Sequence, residues 1–124
     1  MPTLKPVRWI ASSKDDLSAL PDEVRGDVGQ PLYVAQRGDR HSDAKVLKGF
    51  GGAGVLEVVA RHGGGTFRAV YTVRFATAVY VRHVFQKKSK SGIATATKYI
   101  DLVKSRLKMA EEDYAHWISA GGGT

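Results

Sequence analysis

Cysteine is absent from this 124-residue chain, which excludes disulfide bridges, thiolate nucleophiles and cysteine-based zinc sites. The chain also lacks any apolar run near the roughly 20 residues that a membrane-spanning helix needs. Close to the N-terminus, Lys5 and Arg8 interrupt the apolar residues, so no signal peptide is predicted. These absences fit a reducing compartment, and we expect a cytoplasmic protein with no membrane association.

Acidic residues are scarce relative to basic ones: 12 Asp and Glu stand against 19 Lys and Arg, a net charge of +7. An excess of this kind favours a polyanionic partner, because neutralising phosphates releases condensed counterions. Taken alone, the charge also fits a merely solvated surface or one that meets an acidic protein. The length and the 43% hydrophobic content predict one domain over residues 1–120, followed by a frayed Gly-rich tail at 121–124.

Signals for metals and cofactors are weak. Four histidines have no H-x-x-x-H spacing and no carboxylate at ligand spacing, which indicates surface or turn positions: His41, His62, His83 and His116. The run from Gly49 to Gly54 matches G-x-G-x-x-G, but strand-like residues follow it where a dinucleotide site needs a helix N-terminus. We interpret that run as a loop leading into a strand, and predict neither a metal nor a cofactor.

The first third of the chain predicts a short strand and two helices. Val7–Ile10 is the strand candidate, and Ser12 or Ser13 can cap a short helix that follows it. A second helix starts at Pro21 and carries one apolar face, although Pro31 predicts a kink or break in it. The polar stretch Gln36–Asp43 then predicts a loop.

The remainder predicts three strands and a last helix. Strands at 55–61, 67–75 and 79–87 have short connections, which favours an antiparallel meander. Thr95 or Thr97 can cap the last helix. Its apolar stripe consists of Tyr99, Ile100, Val103, Leu107 and Ala110, with Tyr114 and Trp117 as extensions.

Charged residues in this meander fall on one face by alternation. That face carries Glu57, Arg61, Arg68 and residues from Lys87 onward. A ladder of surface salt bridges is the simpler interpretation, and such a ladder contributes little stability. The functional interpretation is a phosphate site, because arginine grips phosphate oxygens in a bidentate manner and lysine adds a point charge.

The order of elements and several local patterns resemble the RelE/HigB superfamily of bacterial toxins, and more closely its phage-derived HigB-like branch. The matching stretches cover nearly the whole chain: Leu20-Pro21 with Val24-Arg25, Gln36–Gly38, Lys45–Val58, Phe67–Tyr71, Phe85–Lys90 and Asp101–Leu107. The resemblance implies an α+β, RelE-like fold: a small, mostly antiparallel twisted sheet with two N-terminal helices and one C-terminal helix.

The resemblance also implies roles for individual residues. Arg68 matches the strand arginine that holds the scissile phosphate, Lys87 and Lys88 match a basic pair after the last strand, and Arg61 lies where other members place a cation. Glu57 stands where RelE-type members carry lysines, so it either accepts a proton as general base or only orients Arg61. A second set is expected to contact RNA by charge: Lys48, Arg74, Arg82, Lys90 and Lys98.

The function that this resemblance implies is the toxin of a type II toxin–antitoxin pair, a ribosome-dependent endoribonuclease acting on mRNA. The 2′-OH of the RNA attacks the adjacent phosphate, so the reaction needs no metal. The expected partners are the ribosome, mRNA and a cognate antitoxin of the helix-turn-helix type. The alternatives are a non-catalytic RNA- or ribosome-binding module and an antitoxin-binding co-repressor.

Overall fold

The computed structural model describes residues 4–47, 54–87 and 93–122. In chain order these residues form β1 (Val7–Trp9), α1 (Ser13–Ser18), α2 (Asp22–Gln36), β2 (Lys45–Val46), β3 (Val55–His62), β4 (Gly65–Thr72), β5 (Val79–Lys87) and α3 (Ile93–Ser119).

The strands form one mixed sheet in the order β1-β5-β4-β3-β2. Strands β3, β4 and β5 are the antiparallel meander that the sequence predicts, and β2 joins its outer edge in antiparallel orientation. Strand β1 pairs with β5 in parallel, which makes the sheet mixed. The predicted fold class is therefore confirmed: a mostly antiparallel sheet with two N-terminal helices and one C-terminal helix.

Helices cover both faces of this sheet. Apolar residues of α2, among them Val24, Val28 and Leu32, pack against the side chains of β3, β4 and β5 that include Val58 and Tyr71. These side chains recur every second residue along the strands, except for the step of three from Val81 to Val84, so the middle of this face is apolar. We call it the α2 face.

Helix α3 packs on the opposite face of the sheet, which we call the α3 face. Near the middle of that face, Val103 contacts Val55 and Val70. Further along the helix, Ala110 packs with Phe75 and Tyr80. The apolar stripe predicted for the last helix therefore faces the sheet at both Val103 and Ala110, which are fully buried.

Of the kink or break expected at Pro31, the break is wrong, because α2 is continuous through that residue. Proline removes one backbone hydrogen bond and crowds the preceding turn. Here the ring of Pro31 is itself buried, as are Leu32 and Ala35 beside it. The burial of these side chains offsets the local cost of a proline inside the helix. Helix propensity alone does not include this tertiary contribution.

Several element boundaries also differ from the prediction, and one strand was not predicted. Strand β2 was not predicted; its residues Lys45 and Val46 pair with Glu57 and Leu56. Strand β4 ends at Thr72, earlier than expected, and α3 begins at Ile93, earlier than either threonine cap. Tertiary pairing sets such ends, since a two-residue strand has no periodicity to detect.

A β-bulge interrupts the pairing of β4 with β5. Val70 pairs with His83 while Tyr71 pairs with Val81, so Arg82 is an extra residue on β5. One inserted residue reverses the face of every residue that follows it. The bulge therefore moves His83 and Phe85 off the α2 face, on which Val81 lies, and onto the α3 face.

Among the residues described, no helix is both long and apolar enough to cross a membrane.

Candidate functional site

Charged residues gather on the α3 face at the end of the sheet away from Tyr80. On β3, Leu56 and Val58 belong to the core on the α2 face, so alternation places Glu57 and Arg61 on the other side. On β4, Arg68 lies directly between Val59 of β3 and Phe85 of β5. The sequence prediction that Glu57, Arg61 and Arg68 share a face therefore agrees with the strand register.

Glu57 and Arg68 form an ion pair at the centre of this face. The Nη1 atom of Arg68 donates to Oε1 of Glu57 at 2.8 Å. The side chain of Glu57 is only 12% exposed and that of Arg68 26%, so water screens this pair less than it screens a surface pair. The Nε–H of Arg68 is buried and makes no hydrogen bond within the residues described. A ligand that displaces Glu57 can therefore accept a hydrogen bond from this Nε–H of Arg68.

Lys45 is a further cation of this face, and it was missing from the sequence-based set. Strand β2 pairs Lys45 directly with Glu57, and directly opposed residues project from the same face of a sheet about 5 Å apart. Lys45 is exposed. It was missed because the strand that positions it is only two residues long.

Arg61 and Lys87 occupy the next row of the sheet. Arg61 pairs with Thr66, and Thr66 pairs on its other side with Lys87. Arg61 is exposed. The side chain of Lys87 lies outside the described part of the chain, while its backbone position in the register is beside Thr66.

Six residues of the predicted set remain: Arg74, Arg82 and four lysines. Arg74 lies beyond the opposite end of β4, where its Nη1 is 3.4 Å from Oε1 of Glu111. It is therefore not brought to the charged face. Three of the lysines lie outside the described residues: Lys48, Lys88 and Lys90. The side chain of the fourth, Lys98, also lies outside them.

The structure contradicts the RNA-binding role predicted for Arg82. Its side chain is fully buried, and its guanidinium donates to the carbonyl oxygen of Val103 in α3. The bulge turns this residue under the helix. A side chain enclosed between sheet and helix does not present charge to RNA at the surface, so Arg82 belongs to the interior.

His83 lies in the same row as Glu57 and Val70. Its Nδ1 is 2.6 Å from Nη1 of Arg106 on α3, and its ring stacks on that of Phe85. Burial, and to a smaller extent the charge of Arg106, lower the pKa of His83 to about 4, while Asp16 opposes the change. The imidazole is therefore neutral near pH 7. The sequence predicted a surface or turn histidine, whereas the structure gives a half-buried strand residue.

This pKa predicts a pH dependence of stability. Between pH 4 and 6.5 the unfolded state binds a proton at His83 that the folded state does not, so the free energy of unfolding should decrease as pH falls through that window. We expect the free energy of unfolding to fall less between pH 7.5 and pH 5 in His83→Gln than in the wild type. The difference should be about 1 kcal/mol, or roughly 4 °C in Tm, after allowing for solvent screening. Thermal melts at pH 5 and 7.5 measure this. Equal losses in both proteins would contradict the assignment.

No group of three or more His, Asp or Glu side chains within the residues described is arranged to hold a metal ion. A cavity of about 330 Å³ lies elsewhere, lined by Lys5, Arg40, Val46, Leu56 and Val73 among others. Val46 and Leu56 alternate with Lys45 and Glu57, so this cavity opens on the α2 face. It is not part of the charged site.

Comparison with known proteins gives one family. The model described as "Phage derived protein Gp49-like (DUF891)" matches residues 15–108, a range that includes β2 to β5 and most of both long helices. Searches of curated proteins and of solved structures give no match.

Proposed function

The chain belongs to the phage-derived Gp49-like family, which is associated with RelE-like toxins, and from this premise we propose that it is a type II toxin that cleaves mRNA on the ribosome. We further propose that it falls in the HigB-like branch, acts in the cytoplasm and is inhibited by a helix-turn-helix antitoxin. The observation that carries the proposal is the central Arg68–Glu57 pair, surrounded by the register positions of Lys45, Arg61 and Lys87.

The chemistry of RNA self-cleavage matches this set of groups. The 2′-oxygen forms a bond to phosphorus, the bond from phosphorus to the 5′-oxygen breaks, and the pentacoordinate state carries extra negative charge. Arg68 is positioned to stabilise that charge, since a guanidinium binds phosphate oxygens in a bidentate manner. The phosphate competes with Glu57 for Arg68, so binding substrate releases the carboxylate.

Two proton transfers complete this reaction. The 2′-OH loses a proton, for which the released carboxylate of Glu57 is the acceptor. The departing 5′-oxygen gains a proton, for which the ammonium group of Lys45, opposite Glu57 in the sheet, is the donor. The sequence left two roles for Glu57, general base or orienting Arg61. Its bond to Arg68 adds that the carboxylate holds Arg68 at rest, so the base role follows only after that bond breaks.

Induction in cells tests the proposal. A toxin should arrest growth, and primer extension should show new mRNA ends within translated codons. Glu57→Gln keeps an acceptor for Arg68 but is a far weaker base, so cleavage should decrease about a hundredfold with the fold intact. Circular dichroism of the purified variant is the control for folding.

Two outcomes would redirect this proposal. If the induced wild-type protein leaves mRNA intact while its ribosome binding weakens steeply with added salt, the non-catalytic binding module is the better description. If Glu57→Gln cleaves at the wild-type rate, the nuclease proposal stands and the base is another group.

A further inference from the structure

An open strand edge lies beside the cavity on the α2 face. Strand β2 comes last in the sheet, so no strand of the described residues pairs with its outer edge. The N–H of Leu47 donates to the carbonyl oxygen of Val55 at 2.9 Å, and successive residues of an antiparallel pair alternate between bonded and non-bonded positions. The N–H and C=O of Val46 therefore point away from β3. An open edge of this kind is a template for a strand from another chain.

The cavity beside this edge has apolar walls. Ala35 at the end of α2, Leu56 on β3 and Val73 after β4 contribute to them. Val46 also lines the cavity, and it is 58% exposed. The volume of about 330 Å³ lies at the lower end of the range of ligand pockets. An apolar side chain that fills this space and covers Val46 removes apolar surface from water, which favours binding.

Two cations border this cavity. Lys5 and Arg40 line it, and neither side chain forms an ion pair within the described part of the chain. The backbone of Lys5 is held against the end of α2. Its N–H donates to the carbonyl oxygen of Gln36 at 2.9 Å, and its own carbonyl oxygen accepts from Nε2 of Gln36 at 2.8 Å. Asp39 supplies an opposing carboxylate. Two positive charges against one negative charge among these lining residues make the cavity complementary to an acidic ligand.

We infer that the outer edge of β2 and the adjoining cavity receive an extended peptide segment of a protein partner, with an apolar side chain in the cavity and acidic residues around it. The apolar residue lies opposite Val46 and exchanges backbone hydrogen bonds with it. Alternate residues of a strand share a face, so acidic residues two positions before and after the apolar one lie on the side of Lys5 and Arg40. This surface is across the sheet from Arg68, and the inference does not depend on the proposed cleavage of RNA.

Binding of short synthetic peptides to the full-length protein tests this inference. The probe is acetyl-Glu-Thr-Leu-Thr-Glu-amide, and its binding is followed by NMR titration of the backbone amides of the protein. A peptide with glycine in place of leucine lacks the apolar anchor and should bind about tenfold more weakly. A peptide with lysine in place of both glutamates should bind more weakly still, because its charges repel those of the cavity. Methylation of the leucine nitrogen removes the donor to the Val46 carbonyl oxygen and should weaken binding about fivefold.

Variants of the protein locate the binding surface. Val46→Asp places a carboxylate on the exposed wall and should weaken binding of the probe about tenfold. Arg40→Gln should weaken it about threefold, the effect of one exposed ion pair. Arg37→Gln is the matched control, because it removes the same charge, but Arg37 lies 5.9 Å from the ring centroid of Tyr33 and is not among the described residues that line the cavity. Its affinity for the probe should be unchanged. Circular dichroism checks the folding of each variant.

Amide shifts centred on Val46, Leu56 and Val73 would support the docking surface, whereas shifts centred on the α3 face would contradict it. No binding at millimolar probe, or equal affinity for the leucine and glycine peptides, would overturn it. Equal loss of affinity in Arg40→Gln and Arg37→Gln would show attraction by overall charge without a site. Tight binding of the methylated peptide would exclude pairing with β2. None of these results bears on whether mRNA is cut in cells, so the two proposals can fail separately.

Discussion

Replacing Arg68 with glutamine should lower the rate of mRNA cleavage by about a hundredfold or more. A preorganised donor aimed at charge that develops in the transition state is worth about 3 kcal/mol in related catalytic settings. Glutamine keeps a neutral donor for the carboxylate of Glu57, which is only 12% exposed. The variant should therefore remain folded while losing the charge that the phosphate requires. Primer extension after induction, calibrated by the amount of protein, measures the change.

Arg74→Gln is the matched control for the Arg68 variant. It lowers the net charge by the same amount, and Arg74 lies beyond the other end of β4, beside Glu111. Its cleavage rate should stay within about twofold of wild type, because removing one exposed pair changes little. If the two variants lose activity equally, overall charge and not a phosphate site would explain the activity. If Arg68→Gln cleaves normally, the assignment of Arg68 is wrong.

Replacing Arg82 with alanine should destabilise the fold by about 3 kcal/mol, which lowers Tm by roughly 10 °C in a chain of this size. The long side chain is fully enclosed and donates to the Val103 carbonyl oxygen, so its removal leaves a cavity between β5 and α3. Thermal and denaturant melts measure the loss.

A second substitution separates packing from charge at this position. Arg82→Leu refills much of the volume without a buried cation, so it should recover part of the stability that the alanine variant loses. Cleavage by either variant, measured below its own Tm, should remain near the wild-type rate. If the alanine variant melts like wild type but binds RNA weakly, Arg82 has the surface role that the sequence predicted and the interior assignment is wrong.

Local patterns determined much of this protein from sequence alone. Alternation along 55–61 and 79–87 located β3 and β5 to within a residue, and helical periodicity found α2 and the stripe of α3 that includes Val103 and Ala110. The same alternation placed Glu57, Arg61 and Arg68 on one face. These features were predictable because side-chain direction repeats every two residues in a strand and every 3.6 in a helix.

The bulge at Arg82 shows where that reasoning stops. The apolar residues Val79, Val81 and Val84 change spacing from two to three at this point, a signal present in the sequence but compatible with several interpretations. Only pairing with β4 decides that Arg82 is the extra residue. From that one insertion follow the burial of Arg82 and the arrival of His83 and Phe85 beside Arg68.

Lys45 shows a second limit. Two residues are too few for any period, and Lys45 lies opposite Glu57 only because β2 pairs with the outer edge of β3. The sequence by itself determined the helices, the strands other than β2, and the charge that one face carries. Tertiary structure decided which cations and rings meet there, because register and burial depend on partners far away in the chain, while periodicity depends only on neighbours.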